Sequence, residues 1–157
     1  GWGEKLKALR ESSDPQAQFM WACYRDVFHY IAVHLQSIAD NARDIDLAIR
    51  WGFGWKQGPF EIWQEAGWQQ VLGWIQEDIA AGKSMSQAPL PAWALDPART
   101  GVHTPNGSYA PAAAADRPRS SLPVYARQHF PDALAVEQFS KGETIFETEA
   151  ARCWHQG

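Results

Sequence analysis

Apolar and polar positions alternate along the first half of the chain with helical rather than strand spacing, and each apolar run is bracketed by residues that start or stop helices. After a charged opening segment, Asp14 followed by Pro15 supplies a capping side chain and a residue pre-set for the first helical turn. Met20, Cys23, Val27, Ile31 and Ile38 then recur at three-, four- and seven-residue steps, flanked by Phe19, Tyr24, Phe28, Tyr30 and Leu35. So wide a stripe predicts a central, mostly buried helix. Asn41, with Asp44 three residues on, predicts a second helix start. In that helix Ile45, Ala48 and Ile49 share one side, Leu47 and Trp51 flank it, and Gly52 is expected to stop it. Gly54 and Gly58 give the next loop its freedom, Phe53, Trp55 and Phe60 are expected to anchor it, and Pro59 opens a short helix ending at Gly67. Trp68, Val71, Leu72, Ile75 and Ile79 predict a fourth helix, closed by Gly82.

Beyond Ser84 the periodicity vanishes. Most of the chain's ten prolines, the Asn106-Gly107 pair and an alanine run read as a linker or a wrapping arm, with Trp93 and Leu95 pinned to the core as one helical turn. Another short helix is expected within Leu122 to Phe139, and two short strands about a turn at Thr144 to Phe146 and Arg152 to His155. The fold class read from this pattern is mainly α: an orthogonal bundle of about four to six helices with a Pro-rich extended arm and a short β-like tail. The expected divisions are a helical domain over 1–97, an arm over 98–143, and the start of a following domain at 144–157.

Composition narrows the functions. A net charge of −4 over 157 residues, with no Lys/Arg block, argues against a nucleic-acid partner, because phosphate binding needs a concentrated basic face. No apolar run approaches the roughly 20 residues of a membrane span, and no basic-apolar-small leader is seen, so the expected location is the cytoplasm. Cys23 and Cys153 form no C-x-x-C pair and suggest neither a disulfide framework nor zinc. A start at Gly1 rather than methionine raises the expectation of a piece of a longer protein.

The candidate chemistry is sparse. Nine tryptophans invite a sugar-binding reading, but Trp21, Trp51, Trp63, Trp68 and Trp74 fall on helical spacings that packing explains. His29 and His34 lie about 140° apart around one helix and do not readily share a metal; one is expected buried and one exposed. Glu61 and Glu65 share a helical face, a weak acid/base pair, while Asp40, Asp44 and Asp46 read as helix-start residues. Asn106-Gly107-Ser108 matches a glycosylation sequon and is better explained as turn chemistry. No glycine loop that cradles a dinucleotide or a phosphate is present, and no nucleophile elbow. No catalytic, cofactor-binding or metal residue is therefore assigned.

The stretch Asp44, Asp46, Ala48, Gly52, Phe53, Gly54, Trp55, Gly58, Pro59, Phe60 and Glu61 resembles the C-terminal helical domain of the 3-hydroxyacyl-CoA dehydrogenase family, over about twenty residues closely and, by helix order, from roughly Asp14 to Ala81. It departs at Lys56, where the family usually has proline, and at Tyr24-Arg25, the counterpart of an Asn-Arg pair whose asparagine faces substrate. The lost asparagine resembles the second copy of this domain in multifunctional members. The resemblance implies a parent that oxidises a 3-hydroxyacyl-CoA with NAD in fatty-acid β-oxidation through a His-Glu pair on a separate nicotinamide domain. The present segment is then inert alone. It also implies acyl-CoA as the parent's substrate, and neighbouring nicotinamide-binding and enoyl-CoA hydratase (crotonase) domains as partners, the terminal strands resembling the start of the latter. Tyr24, Arg25, Gly52, Phe53, Gly54, Trp55, Gly58, Pro59 and Phe60 are the interface or substrate-cleft residues this implies. The competing expectation is a non-enzymatic helical interaction module that recruits a partner through its Pro-rich arm.

Overall fold

The computed structural model describes residues 1–121, 143–148 and 152–155. The chain divides into two compact units, Gly1–Arg119 and Ser120–Gly157. The first is mainly α, as the periodicity requires: α1 (Trp2–Glu11), α2 (Pro15–Ile38), α3 (Ala42–Phe53) and α4 (Pro59–Ala80), followed by a small antiparallel sheet of β1 (His103–Thr104), β2 (Gly107–Ala110) and β3 (Ala115–Arg117) in that order.

The helix starts sit where their caps are. Asp14 Oδ1 accepts the Gln16 N–H at 2.8 Å, and Asn41 Oδ1 accepts the Arg43 N–H at 3.0 Å while its amide donates to Asp44 Oδ2. The charged opening segment proves to be a helix, α1, with fully buried Leu6 and partly buried Trp2 and Leu9 packed against α2 and α4. One buried side chain in ten residues is too thin a stripe to stand out as a pattern. Gly52 does not stop α3. The helix runs to Phe53, and Gly54, at φ 71°, ψ 23°, is the left-handed residue that ends it. The expected third and fourth helices are one element, α4, kinked at Gly67, whose φ of 99° and ψ of 103° no helix contains.

The core is built on stacked rings. Trp63 and Trp68 lie on either side of the kink with centroids 4.0 Å apart and planes 5° from parallel, and the series extends to Phe28, Trp93 and Tyr109. Each buried indole N–H is satisfied: Trp21 donates to Asp78 Oδ2, Trp63 to the Trp68 carbonyl, and Trp68 to the Ala94 carbonyl. Packing thus explains Trp21, Trp63 and Trp68, with Trp74 partly buried beside them. Trp51, 54 % exposed, is the exception. The arm wraps the helices: Leu90, Ala94, Val102 and Tyr109 all belong to the core, and Arg99 lies over the rings of Trp93 and Tyr109.

In the second unit β4 (Glu143–Glu147) pairs antiparallel with β5 (Arg152–His155), with a register shift between Thr144 and Phe146. The two short terminal strands are as expected. The short helix expected within Leu122 to Phe139 lies outside the described residues.

Candidate functional site

The glycine-bounded turn between α3 and α4 splits into a buried half and an exposed half. In the buried half Asp46 is the organiser. Ala42 and Ile45 turn this face of α3 into the core, which carries Asp46 inward to 1 % exposure. Its Oδ1 accepts the Phe60 N–H at 2.8 Å, satisfying one of the unpaired donors at the start of α4. Its Oδ2 takes the His103 Nε2–H at 2.6 Å, and on the far side of the ring Nδ1 accepts the Ser108 hydroxyl at 2.8 Å; these partners set the tautomer. Gln64 fastens the same strand, its Oε1 accepting from the Val102 and His103 N–H groups and its amide donating to the His103 carbonyl. Beside this chain Glu61, also 1 % exposed, accepts the Gly58 N–H through Oε2 and pairs through Oε1 with Arg50 Nη1 at 3.3 Å. Gly58 has no room for a side chain, since an added Cβ would stand 2.3 Å from Asp46 Cβ and 2.4 Å from its Cα.

Burial pushes the Asp46 carboxyl up to about 6; hydrogen bonding and charge from His103 oppose this, the charge of Glu61 adds to it, and the Phe60 N–H opposes it. Serine, histidine and aspartate in one hydrogen-bonded chain are the residue types of a nucleophilic triad. Here Ser108 is 2 % exposed and faces His103 across the β1–β2 pair, so its oxygen is closed to substrate. The chain acts as a pin between the hairpin and the turn. Asp46 is thus not a helix-start residue of its own helix but a cap on the next one. Glu61 and Glu65 are no acid/base pair either: Glu61 is buried in its ion pair, and Glu65 binds the Gln57 amide.

The exposed half is aromatic. Gly52, Gly54 and Trp51 face solvent, Phe53 is 74 % exposed and Trp55 40 %. Phe53 therefore does not anchor the loop, and Phe60, fully buried, does. Trp55 approaches half-buried Tyr24, which in turn meets Trp2 and Phe28. Arg25, next to Tyr24, faces no cleft: it is buried between α2 and α4, paired to Asp78 at 3.1 Å and Asp26 at 2.9 Å. Of the nine expected positions, Gly52, Phe53, Gly54 and Trp55 form the exposed tip, Tyr24 borders it, and Arg25, Gly58, Pro59 and Phe60 lie inside.

The stripe expected to bury α2 is also corrected. The buried face consists of Trp21, Arg25, Phe28, His29, Ile31, Ala32 and Leu35, with His29 Nε2–H donating to the Ala88 carbonyl at 2.7 Å; His34 is exposed. Met20, Val27 and Ile38 are 43 %, 37 % and 50 % exposed. Along with Phe19, Cys23 and Tyr30, the residues Val27 and Ile38 line an open trough of about 860 Å³ between α2 and α3.

The residues missed from sequence were His103 and Ser108. Pro105-Asn106-Gly107 between Val-His-Thr and Ser-Tyr is a turn signal, and following it outward would have found both. Among the described residues no helix is long and apolar enough to cross a membrane.

No protein-family model matches the chain, and no solved structure matches it. Two curated proteins are similar to it. A protein of Bacillus subtilis (strain 168) named "Probable 3-hydroxyacyl-CoA dehydrogenase" is 37% identical over 93 residues, which cover 52% of this chain and 12% of that protein. A protein of Rickettsia felis named "Putative fatty acid oxidation complex trifunctional enzyme" is 40% identical over 50 residues, 30% of this chain and 7% of that protein. The chain is thus similar to a small region of much longer proteins that carry dehydrogenase and fatty-acid oxidation names.

Proposed function

We propose that this chain is the second helical domain of a larger NAD-dependent 3-hydroxyacyl-CoA dehydrogenase of fatty-acid β-oxidation, and that it supports the reaction without carrying it. The similarity to the two long proteins so named is the single observation behind this reading. The motif geometry supports it: a pinned turn holds an aromatic tip outward, which suits a wall against a neighbouring domain or an acyl cleft. The helical domain extends in this reading to about Arg119, because Val102 and Tyr109 complete its core. Dinucleotide binding and hydride transfer belong to other polypeptide, since this sequence has no dinucleotide-cradling glycine loop. An enoyl-CoA hydratase domain is the proposed neighbour at the other end, and the cytoplasm the proposed location. When NAD is bound by the parent it accepts the hydride, while this chain's residues position neighbours and exclude water.

The test is a comparison of the native polypeptide with the 157-residue chain, each given a 3-hydroxyacyl-CoA and NAD. NADH should form with the first and not the second. Turnover by the isolated chain, or none by the native polypeptide, would sink the proposal. The rival reading, a non-enzymatic interaction module, is equally at ease with the exposed tip and leaves the similarity unexplained.

A further inference from the structure

The outer face of α2 holds a feature that the supporting role does not use. Phe19, Cys23, Val27, Tyr30, His34 and Ile38 follow one another in steps of four, four, three, four and four, the spacing at which one side of a helix meets another helix. Each is more than a third open to solvent, although Phe19, Val27, Tyr30 and Ile38 are large and apolar. On the α3 side the trough is walled by Ile45, Ala48 and Ile49. Phe19 and Ile38, which both line the trough, lie about 28 Å apart at the helical rise. Met85 overhangs it, 88 % exposed, its backbone N–H held by Asp26 Oδ1 at 3.1 Å. An unbranched, polarisable side chain of this kind adapts to an incoming apolar surface.

Charge selects among occupants. The charged residues that line the trough are Asp26 and Asp44, both acidic. Asp26 shares its charge with buried Arg25, and exposed Asp44, bonded to the Asn41 amide, feels the charge of Arg117, yet no basic residue lines the trough itself. A second copy of α2 would bring acid against acid, which like-charge repulsion disfavours. A basic-flanked helix would be drawn in.

We propose that the α2–α3 trough is a docking groove for an amphipathic helix of about five turns whose apolar stripe is bordered by Lys or Arg. The groove and the dehydrogenase reading are independent. The inference needs only a helical partner, and it stands or falls without reference to turnover.

The probes are two fluorescein-labelled 20-residue peptides with the same leucine stripe, one flanked by lysines and the other by glutamates, titrated against the 157-residue chain by anisotropy. The lysine peptide should bind at least tenfold tighter than the glutamate peptide, with the difference shrinking as salt is added. Val27→Lys and Ile38→Lys, both at exposed positions, should each weaken the lysine peptide by tenfold or more with an unchanged melting temperature. A photo-crosslinker on Cys23, in a chain carrying Cys153→Ser, should label the bound peptide. Equal affinity for both peptides, or binding to neither, would overturn the proposal. So would self-association of the chain abolished by Val27→Lys, which would make a second copy the occupant, or displacement of the peptide by a long-chain fatty acid at lower concentration than unlabelled peptide.

Discussion

Gly54 and Gly58 stand four residues apart in one turn and are glycines for different reasons. At Gly54 the backbone takes φ 71° with nothing within 4 Å of an added Cβ, so the demand is conformational. At Gly58 the backbone is ordinary and extended, but the space is already filled by Asp46. The same division runs through the side chains: Phe53 and Trp55 on the first half face solvent, while Pro59, Phe60 and Glu61 on the second are sealed. A motif that reads as one unit in sequence is therefore two, a rigid base and a presented tip. The base concerns folding, and the tip concerns whatever meets it.

The sharpest way to break this distinction is Gly58→Ala. Backbone as well as side-chain atoms of Asp46 stand in the way, and the expected loss is about 3 kcal/mol or more, read as the shift of a denaturation midpoint. A loss under 1 kcal/mol would show that the base yields.

Next comes acidity. With the Asp46 carboxyl raised from 3.8 to about 6, the folded state holds a proton that the unfolded state releases between those values. This contribution, about 3 kcal/mol, is complete below pH 3.8 and is lost as pH rises through 6. Asp46→Asn keeps the acceptor for the Phe60 N–H and turns His103 to its other tautomer, Nε2 accepting from the new amide and Nδ1–H donating to the Ser108 hydroxyl, so the variant should gain on the wild type across that window and lack its slope. Parallel melting curves for the two proteins from pH 4 to 6 would refute the assignment.

Gly54→Val should cost about 1 to 2 kcal/mol, from left-handed strain alone. If the cost equals that of Gly58→Ala, the two glycines are not doing different things. Least affected should be Phe53→Ser, within about 0.5 kcal/mol of wild type, because the side chain leaves solvent for solvent. In the native polypeptide the same change should raise KM for the acyl-CoA or loosen a domain contact; a large loss of melting temperature in the isolated chain would instead make Phe53 a core residue.

How much of this was legible follows from where each residue finds its partner. Asp14, Asn41 and Pro59 act on their own helix ends, so their roles can be read from neighbours in sequence. The stripe on α2 was misjudged because that helix is apolar on two sides, and the side chosen for burial contains Arg25 and His29. Those polar groups enter only because Asp78, 53 residues on, and the Ala88 carbonyl, 59 residues on, receive them. Distant partners leave no local trace. The α1 helix was lost for want of a stripe, and the arm for want of any period, although its Asn-Gly turn marked the hairpin that completes the site.

The pin between Asp46 and His103 also sets a schedule for biosynthesis. Its two ends are separated by 57 residues, which a ribosome takes about 3 to 11 s to add. Throughout that interval the nascent helices carry a carboxylate whose Oδ2 still lacks its donor and a core still missing Val102 and Tyr109. The first unit therefore completes its fold only when the β1–β2 hairpin emerges, and codon changes that slow translation between them would prolong the period in which chaperones find it open.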